Sequence, residues 1–355
     1  MITQFGWSDR LSQDFITYAE QGYEPGRVII QQRTHYVVVT DQGELQAQPT
    51  GRFFHEALEG EHPAVGDWVA VTPRPAEGSA SVHAVLPRRT VFVRKAADSV
   101  QTPQVVAANV DVAFLVTSMN DDFNVRRLER YLGAAWQSGA QPVIVLTKAD
   151  LCADPDVFLA RAERIAGGVP VLAVSAMTGL GMAELAVQLP VGDTGVLVGS
   201  SGAGKSTLVN ALAGQTRMST GAIRDDDARG RHTTTHRELI LLPSGALILD
   251  TPGMREFGMV DAGIDLEATF SDVESLAEGC RFRDCRHEHE PGCAVRAARE
   301  TGALDHARWQ SFQKLGKELA HLERKDDRLA REAERKRWIS IAKAQRSHQT
   351  SKKGR

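Results

Sequence analysis

Short runs of β-branched and aromatic residues, broken by glycine and proline, dominate the chain from Gly26 to about Arg94. Val28-Ile29-Ile30, Tyr36-Val37-Val38-Val39, Asp67-Trp68-Val69-Ala70-Val71 and Val91-Phe92-Val93 read as strands, with turns at Gly43, Gly51, Gly66, Pro73 and Gly78. About five short strands in ~70 residues predict a small β-barrel, with an OB-fold as the leading candidate. Such a barrel either packs only on its neighbour or serves as a platform for single-stranded or structured RNA. Ala96 to Gln104 is polar, contains Pro103 and reads as a linker.

Beyond it the period alternates between strand and helix. Val110–Val116, Pro142–Leu146, Val169–Val174, Gly195–Val198, Leu239–Leu242 and Ala246–Leu249 read as buried strands. Asn124–Gln137, Asp156–Ile165, Met182–Leu189 and Lys205–Leu212 read as helices between them. This predicts a largely parallel sheet covered on both faces, with its sites at the carboxyl ends of the strands. Past Gly263 the pattern turns helical, and Leu304 to about Ile341 reads as long, charged helix. The predicted organisation is an N-terminal segment and barrel over 1–95, an α/β domain over 104–262 and a mostly helical domain over 263–355.

Four short elements fall at the ends of the α/β strands. Gly199-Ser200-Ser201-Gly202-Ala203-Gly204-Lys205-Ser206 lies between a strand and a helix, as a phosphate-binding loop requires. Its glycines let backbone N–H groups approach phosphate oxygens, and the helix start at Lys205 adds its positive dipole end. Lys205 is placed for the β- and γ-phosphates, Ser206 for Mg²⁺, and Thr207 continues the first turn.

Thr147-Lys148-Ala149-Asp150 supplies the base reader. The Asp150 carboxylate accepts from the ring N–H and exocyclic amino group of guanine, whereas adenine presents an acceptor at the first of these. Lys148 can lie along the base plane, and Ser175-Ala176 follows at a distance suited to add a backbone N–H. Asp250 ends an apolar strand, in reach of a Mg²⁺-bound water, and Gly253 follows as a γ-phosphate sensor. Between the phosphate loop and that strand, Arg224–His236 is charged and polar, as a switch loop would be. Any of Thr233, Thr234 and Thr235 can serve as its Mg²⁺ ligand, and Thr234 is favoured. The base reader precedes the phosphate loop here, the reverse of an ordinary GTPase.

Cys280, Cys285, His287 and Cys293 offer three thiolates and an imidazole, a normal set for closed tetrahedral Zn²⁺, with His289 as a substitute for the preferred His287. Neither a secretory signal nor an apolar run of ~20 residues is present, so the expected location is the cytoplasm, without membrane association. The formal net charge of −3 is unevenly spread, since lysine and arginine crowd the residues from Lys314 onward. That sign split points to a polyanionic partner.

With Gly230-Arg231-His232-Thr233-Thr234-Thr235, Asp250-Thr251-Pro252-Gly253 and Arg255-Glu256-Phe257-Gly258 in this order, the chain resembles the ribosome small subunit-dependent GTPase A family. These are circularly permuted GTPases that mature the bacterial 30S subunit. The resemblance implies an OB-fold, a permuted GTPase core and a C-terminal zinc domain. It further implies GTP hydrolysis stimulated by the subunit, GTP-dependent binding of rRNA, one structural Zn²⁺ per chain, Mg²⁺ with the nucleotide, and a monomer. Two positions depart from common GTPase patterns. Thr147 replaces an asparagine, a change expected to loosen the loop that supports the base. Met254 stands where a catalytic glutamine is common, and His232 is then the candidate for orienting water. A second reading remains open, a zinc-stabilised RNA-binding module in which GTP regulates binding and hydrolysis is negligible.

Overall fold

In a computed structural model of the chain, residues 1–32, 35–57, 60–95, 103–214, 237–250, 265–320 and 324 are described. They form two compact units, Met1–Thr269 and the residues from Phe270 onward.

The first unit opens with a 3-10 turn, Ile2–Phe5, and helix α1 (Asp9–Ala19), neither of which the hydrophobic pattern announced. Ser8 caps α1 by accepting from the Leu11 N–H, and Leu11 and Phe15 form its buried face. Strands β1 (Glu24–Gln32), β2 (His35–Thr40), β3 (Gly43–Pro49), β4 (Trp68–Arg74) and β5 (Ser79–Val85) follow, with the short helix α2 (Gly51–Glu56) between β3 and β4. They pair in the order β1-β2-β3-β5-β4, and β4 returns to β1. The β3–β5 pair is parallel and the rest are antiparallel. This is the closed, five-stranded Greek-key barrel expected of an OB-fold. Alternate residues Val28, Val38, Leu45, Ala47, Val69, Val71 and Val82 fill its interior.

Val91-Phe92-Val93 does not belong to the barrel. It lies in β6 (Val91–Lys95), which pairs antiparallel with β7 (Pro103–Ala108) as a separate ribbon. Gln104 of the expected linker is therefore inside a strand. Asn109, with φ of 54°, ends that strand, so the next begins at Val112 and not at Val110.

The α/β part comprises β8 (Val112–Ser118), α3 (Val125–Ser138), β9 (Gln141–Thr147), α4 (Pro155–Ala166), β10 (Val171–Ala173) and α5 (Met182–Val187). It continues with β11 (Thr194–Val198), α6 (Lys205–Ala213), β12 (Arg237–Leu241) and β13 (Leu247–Asp250). Strands β10-β9-β8-β11-β13 are parallel. β12 runs antiparallel to β13 and, on its other side, pairs antiparallel with β1 of the barrel through Ile30↔Glu238 and Gln31↔Arg237. Barrel and α/β strands thus share one 11-stranded sheet. The buried Arg27 of β1 reinforces this junction. It donates to the Phe5 carbonyl oxygen and, across 2.7 Å, to Thr194 Oγ1 at the foot of β11. Burial pushes its guanidinium down to about 10, partly offset by the carboxylate of Asp111.

Asn124 caps α3 through the Arg127 N–H, and Gly139 ends it in the left-handed conformation with φ of 86°. Its inner face, Leu128, Tyr131, Leu132 and Ala135, packs on the sheet. The short helix α7 (Leu266–Thr269) packs on α3, and the Asp265 N–H donates to the Gly133 carbonyl oxygen at 3.2 Å.

The second unit holds α8 (Ser271–Glu278), α9 (Ala294–Glu300) and a helix over residues 306–320. Arg308 ties two of these together, pairing with Asp272 at 2.8 Å while its guanidinium lies 4.3 Å from the Phe270 ring centroid. The expected continuation of charged helix to Ile341 lies outside the described residues.

Candidate nucleotide site and metal centre

Parallel pairing brings the carboxyl ends of β9, β8, β11 and β13 to one edge of the sheet, with Ser118 level with Thr147 and Leu115 with Val198. Every residue of β11 is buried, so the strand delivers Gly199 to this edge without freedom to shift. A Cβ on Gly199 would sit 2.2 Å from the Val116 carbonyl oxygen, so only glycine fits there. Gly202 and Gly204 hold φ of 78° and 91°, the left-handed values that let the chain wrap before α6 begins at Lys205. Ala203 is fully buried between them, while Ser206 and Thr207 lie half-buried in the first turn of α6. Ser201 is exposed at the tip of the loop. Lys205 Nζ donates to the carbonyl oxygens of Gly199 and Ser200 at 2.6 and 2.5 Å, inside the loop it closes.

Thr147 is buried, and its hydroxyl donates to the Ala203 carbonyl oxygen at 2.6 Å. Threonine at this position thus supplies a tether of its own between the candidate base-reading loop and the phosphate loop. Lys148 follows with φ of 60°, an unusual value for a non-glycine residue, and turns the chain into the 3-10 turn Ala149–Leu151. That turn leaves Asp150 exposed. The Ala149 N–H donates to the Val174 carbonyl oxygen at 3.2 Å, which sets the base-reading turn beside Ser175-Ala176. Ser175 is buried and organises its own turn, its Oγ accepting from the Thr178 N–H at 3.2 Å, while Ala176 packs against the core. Asp250 stands half-buried at the end of β13, opposite Glu238. His232, Thr234 and Gly253 lie outside the described residues.

One contributor was missed. The loop from Met119 to Asn124, between β8 and α3, reaches both halves of the site. The Met119 N–H donates to the Thr147 carbonyl oxygen at 3.0 Å, and the Asp122 carboxylate accepts from Ser200 Oγ at 2.6 Å. Arg127 pairs with the same carboxylate at 2.8 Å. Only its position after a buried strand could have drawn attention to this loop.

In the second unit, the candidate ligand atoms of Cys280, Cys285, His287 and Cys293 lie within 4.8 Å of one another. Tetrahedral Zn²⁺ with bonds of about 2.3 Å to sulfur and about 2.0 Å to nitrogen sets sulfurs about 3.8 Å apart and sulfur about 3.5 Å from nitrogen. The Cys280 and Cys293 sulfurs are 3.9 Å apart, and each lies 3.5 Å from His287 Nδ1. The donor set therefore fits zinc in both chemistry and spacing, and four protein ligands would leave no position for a reactant. Cys293 also caps α9, accepting from the Arg296 N–H at 3.3 Å. Burial opposes the Cys280 thiolate, yet the N–H groups of Val295 and Ala294 prevail and hold the thiol below its ordinary range. The Glu290 carboxylate accepts from the N–H groups of Arg286, Glu288 and His289, each at 3.0 Å, and these bonds hold it down at about 2. They fold the loop that carries His287 with its φ of 61°.

Comparison with known proteins agrees with this architecture. The model of the RsgA GTPase family matches residues 85–260. An ABC transporter model matches residues 182–346, a stretch with the phosphate loop but without the base reader. "Small ribosomal subunit biogenesis GTPase RsgA" of Opitutus terrae is 47% identical, with 98% of each chain covered. Its Streptomyces coelicolor namesake is 46% identical over 95% of this chain and 92% of its own. Among solved structures, YjeQ from Thermotoga maritima superposes with a TM-score of 0.63 at 28% identity, covering 84% of this chain and 99% of its own. YloQ, described as a circularly permuted GTPase, gives 0.60 at 26% identity, covering 84% and 96%. The order of the site elements, the barrel ahead of them and near-complete coverage by relatives lead to one assignment: this chain belongs to the RsgA GTPase family.

Proposed function

We propose that the protein binds and hydrolyses GTP during late maturation of the small ribosomal subunit, and that the subunit stimulates it. The observation that carries this reading is the bond from Thr147 to Ala203, which holds the candidate base reader beside the candidate phosphate loop, in permuted order. Full-length relatives named as small ribosomal subunit biogenesis GTPases support the biological setting. Their names as GTPases also favour hydrolysis over a purely regulatory role for the nucleotide.

In this reading Asp150, Lys148, Ser175 and Ala176 hold guanine, and residues Gly199 to Thr207 hold the phosphates. Bound Mg²⁺ would supply charge neutralisation at the phosphates. Ser206, Thr234 and Asp250 are assigned to hold it or its water, and Gly253 to sense the γ-phosphate. His232 is assigned to orient the attacking water, since the thioether of Met254 cannot accept a proton or a hydrogen bond of useful strength. Residues 1–95, with the barrel over β1 to β5, 104–262 and 263–355 act as N-terminal, GTPase and zinc segments. The barrel and the basic residues after Lys314 hold rRNA, working as a monomer in the cytoplasm.

GTP turnover with and without purified small subunits tests the proposal. A large subunit-dependent rise is expected, whereas equal rates in both reactions would refute it.

A further inference from the structure

We propose that Asp122 is a positioning residue of the nucleotide site, holding the first half of the phosphate loop in its binding conformation through Ser200. The inference rests on the reading of Gly199–Thr207 as the phosphate cradle. A cradle works by presenting several backbone N–H groups at fixed directions. Three glycines within six positions give this loop more conformational freedom than a preorganised site can tolerate. Something must remove that freedom before the ligand arrives.

Among the described residues, the side chains of Lys205, Thr147 and Asp122 tether the loop. Lys205 donates to the Gly199 and Ser200 carbonyl oxygens, but its ammonium is also the group assigned to the phosphates, so this tether is shared with the ligand. The other two use side chains outside the loop, neither of which is assigned to the phosphates. Thr147 holds Ala203, and Asp122 holds Ser200, one on each side of Gly202 with its φ of 78°. Asp122 is itself well anchored. Arg127 pairs with its carboxylate and also donates to its backbone carbonyl oxygen. The neighbouring Phe123 is packed between the Phe158 ring, 5.1 Å away, and the Arg161 guanidinium, 4.8 Å away, both on α4. The Arg127 charge also offsets that of the carboxylate, so a bound polyphosphate meets a near-neutral pair.

Equilibrium titration of the full chain with fluorescent GDP and GTP tests this, with thermal melting in parallel. Asp122→Ala is expected to weaken both nucleotides roughly ten-fold, the scale of one charge-assisted hydrogen bond. Ser200→Ala should weaken them equally, and the double variant should be no worse than either single one. Asp122→Asn retains an oxygen acceptor for Ser200 and should recover affinity to within about two-fold of the parent. Unchanged affinity in Asp122→Ala, strictly additive losses, or a melting shift without an affinity shift would overturn the inference. If the unaltered protein bound neither nucleotide, the cradle reading itself would fall, and the inference with it.

Discussion

The hydroxyl of Thr147 donates to the carbonyl oxygen of Ala203 across 2.6 Å, joining two parts of the pocket that stand 56 positions apart in sequence. Thr147→Val keeps the shape and removes the donor, leaving a buried carbonyl without this partner. The expected cost is about 1–1.5 kcal/mol, or roughly ten-fold in nucleotide affinity if all of it falls on the bound form. Titration with fluorescent GDP measures it, and a valine variant that binds as tightly as the parent contradicts the tether.

In the proposed reading, base choice rests on the carboxylate of Asp150, which is exposed. Asp150→Asn exchanges one acceptor for an amide that can also donate. Guanine nucleotides should lose about 100-fold or more in affinity, while xanthine nucleotides, which carry an oxygen in place of the exocyclic amine, should gain. Competition of GDP and XDP for the variant reads this directly. No change in the ratio of the two would remove Asp150 from the base site.

Metal removal should act on the second unit. Cys293 is both candidate ligand and helix cap, and Trp309 stands edge-on to His287 with ring centroids 5.7 Å apart. One zinc per chain is expected by elemental analysis. Stripping it with a strong chelator should change tryptophan emission and reduce helical circular dichroism, and Trp309→Phe should abolish most of the emission change. Purified protein that carries no zinc and keeps its helical signal in chelator would argue against the site.

A pH effect is expected in the barrel. His83 stacks on Tyr23 with centroids 4.4 Å apart, and its Nε2 lies 3.0 Å from Thr72 Oγ1. Burial, then the charge of Arg74, pushes its imidazolium below the ordinary histidine value. The unfolded chain therefore takes up this proton first as the pH falls. The contribution is fully present above about 6.5 and is lost as the pH falls from there through the folded value. Titration of the His83 ring by NMR should give a midpoint below about 6.5. A midpoint at or above it would show that the ring is not so constrained.

The parts of the site that require one residue type were legible in the sequence. Gly199 admits no Cβ, and Cys280, Cys285, His287 and Cys293 form a ligand set with few other uses. Elements that depend on distant partners were not. Strands β3, Gly-Glu-Leu-Gln-Ala-Gln-Pro, and β5, Ser-Ala-Ser-Val-His-Ala-Val, are polar on alternate positions because one face meets solvent, and only the turn glycines Gly43 and Gly78 stand out there. β6 and β7 bracket a polar stretch that looks like a linker until their pairing is known. The bond from Ser200 to Asp122 spans 78 positions and involves two residue types common in any loop. The antiparallel seam between β1 and β12 leaves no local mark, since pairing is written in both strands jointly.

That seam makes the barrel a handle. β12 is bonded to β1 on one side and to β13 on the other, and Arg27 pins the same strand of the barrel to the foot of β11. Turning the barrel against the pocket would mean breaking strand pairing and stripping a buried guanidinium of its acceptors. Whatever surface seats the barrel therefore also bears on the direction in which the pocket faces.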